Sequence, residues 1–122
     1  MNEERKNILV EKSFDFSVVI VYFYKSLVEN KKEFVLSKQL LRSGTAIGAL
    51  IREAQNAESK MDFIHKLAIA QKECDETIYW LEILYKTDYI TEDVFNLHYE
   101  KANELLKLLR SIILTKKKNI HS

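Results

Sequence analysis

The chain has 122 residues, of which 47% are hydrophobic and 30% are charged, and its formal net charge is +1. This length and composition fit a single globular domain, residues 1–122, and argue against a disordered chain, while the near-neutral charge predicts no particular class of partner. The longest apolar run, residues 18–24, is far shorter than the roughly 20 residues that cross a bilayer, so we expect no membrane partner.

The first predicted element covers residues 6–30 and contains SFDFSVVIVYFYKSLV, whose β-branched and aromatic residues locally favour a strand. No other part of the sequence offers a partner strand, whereas a helix that starts near Lys6 or Ser13 can bury one apolar face against other helices. We therefore predict a helix. Its buried face should consist of Phe16, Val19, Ile20, Phe23 and Leu27.

The second predicted helix, residues 37–56, begins with a candidate capping residue. Ser37 lies after Leu36 and four positions before Leu41, the arrangement of an N-cap with a hydrophobic staple. Apolar or small residues then recur at alternating steps of three and four, which places them on one face of a helix.

The third and fourth predicted helices cover residues 59–87 and 91–117. Ser59 is followed three positions later by Asp62, and Thr91 precedes two acidic residues, so both positions resemble helix starts. Both segments repeat the apolar spacing of the second helix. Four amphipathic helices with short connections predict an all-α fold, an antiparallel up-down-up-down four-helix bundle.

The two glycines of the chain, Gly44 and Gly48, lie in RSGTAIGALIREA, residues 42–54. The stretch lacks the lysine and the preceding strand of a phosphate-binding loop, and its charges exclude a membrane GxxxG pair. Each glycine lowers helix stability by up to about 1 kcal/mol relative to alanine. We expect compensation from the close approach of a neighbouring helix, or of a large side chain such as Tyr79 or Trp80.

Basic residues are concentrated on one stripe of the second helix and at the end of the fourth. Either stripe can be a solvated surface, the second being a helix end whose cations suit the helix dipole, or a surface that binds the phosphates of a polyanion. The candidate nucleic-acid-binding residues are Lys38, Arg42, Arg52, Lys107, Arg110, Lys116, Lys117 and Lys118.

A flanking stripe on the third helix combines apolar and acidic residues, among them Glu73, Glu76, Trp80 and Ile83. It either widens the core face or forms a subunit contact. We also predict a charge-assisted network between Arg42 and the two glutamates, within one chain or between chains.

Residues 34–85 closely resemble the four-helix-bundle proteins grouped with the ribosomal-RNA intervening-sequence proteins. The resemblance rests on LSKQLLRSGTAIGALIREAQ and SKMDFIHKLAIAQKECDETIYWLEIL. Within them, the matching positions are Leu41, Arg42, Ser43, Ile47, Gly48, Ala54, Ser59, Phe63, Leu67, Ala70, Glu73, Glu76, Thr77, Trp80 and Leu81. Two positions depart from the family pattern, which often has Asn and an acid where this chain has Leu50 and Arg52.

The resemblance implies a bundle that assembles with itself into a ring, with pentamers known in the family, and a link to RNA. Some members are encoded inside insertions of large-subunit ribosomal RNA. Others are accessory subunits of diversity-generating retroelements, where a basic pentameric barrel binds RNA and the reverse transcriptase. The near-neutral charge of this chain matches that second subtype poorly.

The sequence offers little catalytic or metal-binding chemistry. Asp62 and His65 form half of a carboxylate-bundle metal motif, but His98 has apolar residues where the second acid should stand. Cys74 lies on the apolar seam and is expected to be an inert core residue. We therefore expect no cofactor, no metal and no enzymatic activity.

The function expected from the sequence is that of a non-enzymatic, oligomeric, RNA-associated protein. The alternative is a protein–protein scaffold or accessory subunit that binds another polypeptide and no nucleic acid. A cytoplasmic location is expected, because MNEERKNILVEK carries acids where a secretory signal has basic and then apolar residues.

Overall fold

The computed structural model describes the backbone of residues 2–121 and the side chains of residues 3–120; positions 1 and 122 of the predicted domain lie outside the described residues. The elements are α1 (Asn2–Lys31), α2 (Leu36–Ala54), α3 (Lys60–Lys86) and α4 (Glu92–His121). No strand occurs among the described residues, so the predicted all-α four-helix bundle is confirmed.

Each helix packs against the helices that precede and follow it, and α1 closes the bundle against α4. Within the described residues, the α-carbons of the diagonal pairs α1–α3 and α2–α4 stay more than 8 Å apart. The core between the helices is aliphatic. Its fully buried large side chains include Leu9, Ile20, Leu27, Leu40, Ile47, Ile51, Leu67, Leu81, Leu84, Leu105 and Leu109.

The segment with strand-like composition is helical throughout, and α1 starts at Asn2, earlier than the predicted residue 6. Arg5 explains much of this extension because its guanidinium donates hydrogen bonds to the Ser111 hydroxyl and, at 3.2 Å, to that of Thr115. The same contacts hold the end of α4, which continues to His121, beyond the predicted residue 117. Of the predicted buried face, Val19 is only half-buried.

The start of α2 differs from the prediction. Ser37 lies inside the helix, and its hydroxyl donates to the Glu33 carbonyl oxygen at 2.8 Å. The capping group is instead the buried carboxylate of Glu33, which accepts from the N–H groups of Val35, Leu36 and Ser37 at 3.0, 2.6 and 3.0 Å. A carboxylate suits this position because the first N–H groups of a helix have no partner within the helix.

The starts of α3 and α4 carry the caps that the sequence indicates. The Ser59 hydroxyl accepts from the Asp62 N–H at 3.0 Å, and the Asp62 carboxylate accepts in turn from the Glu58 N–H at 3.1 Å. The Thr91 hydroxyl accepts from the Val94 N–H at 3.3 Å. None of the four helices, over the residues described, combines the length and hydropathy that a membrane-spanning segment requires.

The two glycines of α2 lie against α1. A β-carbon built on Gly44 would approach Ile20 Cγ2 to 2.9 Å, and one built on Gly48 would approach the Ser13 carbonyl oxygen to 3.0 Å and Ser17 Oγ to 3.1 Å. The close neighbour is therefore the first helix, and neither Tyr79 nor Trp80 supplies these nearest atoms. Bare backbone is needed here because α1 occupies the space that a side chain would take.

We predict that Gly44→Ala lowers the free energy of unfolding by about 1 kcal/mol, because overpacking against the buried Ile20 outweighs the better helix propensity of alanine. Denaturant unfolding followed by circular dichroism measures the change. The exposed Ala49 of the same helix calibrates the propensity effect, and Ala49→Gly should destabilise by about 1 kcal/mol. A Gly44→Ala variant more stable than the parent would contradict the close contact.

His98 is a buried titratable residue between α1 and α4. Its ring stacks on Phe23 with centroids 4.0 Å apart, and its Nδ1 lies 2.8 Å from the carbonyl oxygen of Val94. Burial lowers the pKa of His98 below its usual value; the hydrogen bond to Val94 opposes this shift, and the nearby Lys101 adds to it. The folded protein thus favours the neutral imidazole.

Because the unfolded chain binds a proton at this histidine more readily than the folded chain, stability is fully present above the usual histidine pKa of 6.5 and falls as the pH drops below it. We expect His98→Gln to remove this part of the pH dependence in unfolding experiments between about pH 8 and pH 5. The exposed His65 provides the control. His65→Gln should leave the slope unchanged, and equal slopes in all three proteins would refute the assignment.

Candidate functional site

The polar network predicted for Arg42 forms within one chain, between α2 and α3. Arg42 Nη1 lies 3.3 Å from Glu73 Oε1, and its other terminal nitrogen pairs with Glu76. Trp80 Nε1 donates at 3.2 Å to Glu76 Oε2, the oxygen that also pairs with Arg42. Ile83, the last member of the stripe, is half-buried. The arrangement neutralises the charge of Arg42, so this residue is a weaker phosphate ligand than its sequence position suggests.

Beneath the ion pairs lies a buried pair of hydroxyls that the sequence analysis did not assign. Thr77 Oγ1 is 3.0 Å from Ser43 Oγ and 2.8 Å from the carbonyl oxygen of Glu73, and both side chains are fully buried. The two hydroxyls share one hydrogen bond between α2 and α3, and each also lies within hydrogen-bond distance of a carbonyl oxygen of its own helix, that of Leu40 for Ser43 and that of Glu73 for Thr77. The polar network thus extends from the surface into the core.

We predict that Ser43→Ala and Thr77→Val each lower the free energy of unfolding by about 1–2 kcal/mol, because each leaves the other hydroxyl with a missing partner. The double variant should lose less than the sum, with a coupling of about 1 kcal/mol. Thr45 is the control, since its hydroxyl bonds the carbonyl oxygen of Leu41 in its own helix. Additive losses for Ser43→Ala with Thr77→Val would argue against the pair.

The predicted phosphate-binding residues do not form one surface in a single chain. Lys38, Arg42 and Arg52 belong to α2, whereas the remaining five belong to α4, and these two helices are diagonal in the bundle. Arg52 lies over the ring of Phe14, 5.6 Å from its centroid. Lys107 and Arg110 are exposed on α4. Within one chain the end of α2 and the end of α4 do approach each other, since Ala54 and Gln55 line the same cavity as Lys116.

Lysines from three helices do meet at one end of the bundle. Lys6 of α1 and Lys116 of α4 lie on the ring of Phe63, at 5.3 and 5.6 Å from its centroid. These residues border a cavity of about 210 Å³ together with Lys60, at the start of α3. We name Lys6, Lys60 and Lys116 the basic end.

The electrostatics of the basic end favour an anion. The described residues that line its cavity include three lysines and no acid, although Lys6 is also paired with Glu3 at 3.0 Å. Lys117 and Lys118 are exposed on the continuation of α4. The sequence analysis identified the α4 lysines but missed Lys6 and Lys60, because only the fold brings these distant positions together.

Of the residues considered for metal chemistry, Asp62 belongs to the capping contacts of α3 and Cys74 belongs to the core. Asp62 caps α3 and lies 3.6 Å from Lys66 Nζ, while His65 is exposed. Across the described part of the chain, no three histidine, cysteine or acidic side chains are grouped as metal ligands. Cys74 is buried and lies 3.1 Å from the carbonyl oxygen of Ala102, as expected for a core residue.

Comparison with known proteins identifies the family. Residues 5–111 match the profile of the family described as 23S rRNA-intervening sequence protein. The chain belongs to this family. The match covers the polar network and most of all four helices, and it confirms the resemblance seen in the sequence.

A solved structure supports the same assignment. It is the crystal structure of a protein of unknown function from the S23 ribosomal protein family of Bacteroides thetaiotaomicron, which is 54% identical. The two structures superpose with a TM-score of 0.88 over 89% of this chain and 97% of the other. No curated protein matches the chain.

Proposed function

We propose that this family member is a non-enzymatic, self-associating protein of the cytoplasm that binds RNA through the basic end. The observation that carries the proposal is the convergence of Lys6, Lys60 and Lys116 from three helices on one cavity. Flexible cations on a rigid scaffold are suited to phosphates, which require charge and spacing but no shape-specific pocket.

The surroundings of Phe63 indicate how the RNA would be held. Its ring is 8% exposed and has lysine ammonium groups close to it, so it offers little surface on which a base could stack. Recognition would therefore rest on the phosphate backbone and show little sequence preference. Affinity should fall steeply as salt increases, because phosphate contacts release counterions.

The assembly that we propose is a ring of antiparallel, up-down-up-down bundles, with the pentamer that the family resemblance implies. Antiparallel order is supported by the pairing of Arg5, near the start of α1, with Thr115, near the end of α4. A ring would repeat the basic end around its axis. Several weak phosphate sites on one particle bind a long RNA far more tightly than one site does.

A second candidate function is a protein scaffold or accessory subunit without RNA binding. It is favoured by the exposed apolar residues of the α1–α2 connection, where Phe34 is 56% and Val35 is 72% exposed. Such side chains are suited to a polypeptide surface more than to phosphates. RNA measurements separate the two functions directly.

We expect the purified protein to bind a fluorescein-labelled single-stranded RNA in anisotropy titrations between about 50 and 300 mM salt. Lys60→Gln combined with Lys116→Gln should weaken binding roughly tenfold at low salt and reduce the salt slope by about 1.4, the value for two lost phosphate contacts. The matched control is the exposed Lys72 on the outer face of α3.

Lys72→Gln should leave both the affinity and the slope unchanged. Absence of binding at about 50 mM salt would remove the RNA function. A loss per removed charge that is as large in the control as in the double variant would show that overall charge, and not the basic end, determines the affinity.

A further inference from the structure

The outer face of α1 carries a stripe of large apolar side chains that the other helices leave largely exposed, although Arg52 of α2 lies over the ring of Phe14. Phe14 is 53% exposed, Val18 is 40% exposed and Tyr22 is 67% exposed. They recur every four residues and therefore lie one above another on the helix. Burying such neighbours is favourable, so the stripe has the character of a contact surface.

Charged residues extend the stripe symmetrically in both directions. Glu11 lies seven residues before Val18 and Lys25 lies seven residues after it, which is about 10 Å along the helix on each side. Both side chains are exposed, and within the described chain neither has an ion-pair partner. The stripe is acidic at one end, apolar in the middle and basic at the other end.

We propose that a second copy of this chain docks on the stripe through a two-fold symmetric contact centred on Val18. Two such stripes laid antiparallel place Glu11 opposite Lys25 of the partner subunit. They also place Phe14 opposite Tyr22 of the partner subunit. The pattern is complementary to itself, which is the property that an isologous interface requires.

The groove beside the stripe provides room for this contact. A cavity of about 470 Å³ lies between α1 and α2, bordered by Phe14 and Ser17 and by Gly48, Ala49 and Arg52. Its small residues leave space for a large side chain from the facing helix. Tyr22 of the partner subunit lies opposite Phe14 in the antiparallel arrangement and is the side chain suited to fill that space.

The inference rests on the self-association in the proposed function and adds a two-fold contact to the heterologous contacts that close a ring. By itself the two-fold contact produces dimers, and combined with a five-membered ring it joins two rings into ten chains. The stripe centre is about 18 Å along α1 from Lys6, so the stripe and the basic end can be tested separately.

Charge reversal tests the pairing across the two-fold axis. Glu11→Lys and Lys25→Glu should each weaken self-association on the order of tenfold in sedimentation equilibrium, because each change converts two attractive pairs into two repulsive ones. The double variant, and an equimolar mixture of the two single variants, should recover the affinity. Failure of both to recover would overturn the proposed alignment.

A disulfide tests the symmetry itself. Val18→Cys should give a covalent dimer under mild oxidation, because this position meets its own copy only on a two-fold axis. The native Cys74 does not interfere, since burial raises its thiol pKa to about 12. Leu97→Cys, at a position 54% exposed on α4, is the control and should not crosslink.

Light scattering completes the test. Dimers or ten-chain particles support the contact, whereas a monomer, or a five-chain particle in which Val18→Cys does not crosslink, overturns it. RNA titration of the Lys25→Glu variant separates this failure from that of the proposed function. If RNA affinity survives the loss of the dimer, the proposal that the basic end binds RNA still holds. If an intact dimer does not bind RNA, only the proposed RNA function is contradicted.

Discussion

The close approach of α1 to the bare backbone of α2 is the constraint on which the arrangement of this protein depends. At Gly44 and Gly48 the first helix leaves too little room for a side chain, because Ile20 Cγ2 lies 2.9 Å and the Ser13 carbonyl oxygen 3.0 Å from the positions that the two β-carbons would take. This contact fixes the rotation of α1 about its axis. Because Ile20 and Ser13 face α2, the side chains of Phe14, Val18 and Tyr22 lie on the solvent-exposed side of α1.

The second helix organises both of its neighbours. On one side of α2 the residues that contact α1 are glycines. On the other side, Ser43 and Arg42 bond to side chains of α3. The contacts with α3 change from buried hydroxyls to half-exposed ion pairs within about one turn of α3. Hydroxyls and guanidinium groups make directional bonds, so they fix the pairing of these helices more narrowly than aliphatic packing does.

Much of the fold could be predicted from local spacing, because amphipathic periodicity and capping residues are properties of neighbouring positions. Ser59 and Thr91 cap the helices that follow them. The segment of α1 with strand-like composition is helical, as the lack of a partner strand predicts. The prediction that Ser37 caps α2 is wrong, because Ser37 lies inside the helix. Glu33 precedes the helix by three positions, and spacing alone does not show that its carboxylate turns back onto three amides.

The candidate site was less accessible to sequence reasoning, since it depends on contacts between distant positions. The three consecutive lysines at the end of α4 are easily recognised in the sequence. Lys6 and Lys60 become candidate ligands only in the folded bundle, which brings them beside Lys116. Conversely, the candidate phosphate-binding residues of α2 and α4 belong to helices that are diagonal in the bundle, an arrangement that spacing along the sequence does not show. Arg42 is predicted both to bind phosphate and to pair with glutamates, and in the fold its guanidinium is paired with the carboxylates of Glu73 and Glu76.

The Glu33 carboxylate also has a consequence for how the chain can be altered. It ties three successive amides across the α1–α2 connection, and Lys32 beside it adopts a left-handed backbone with φ of 54°. Phe34 and Val35 of this connection are exposed, but the Glu33 carboxylate beside them is bonded to the first amides of α2. Extra residues or a fused domain inserted into this connection would therefore break the cap of α2.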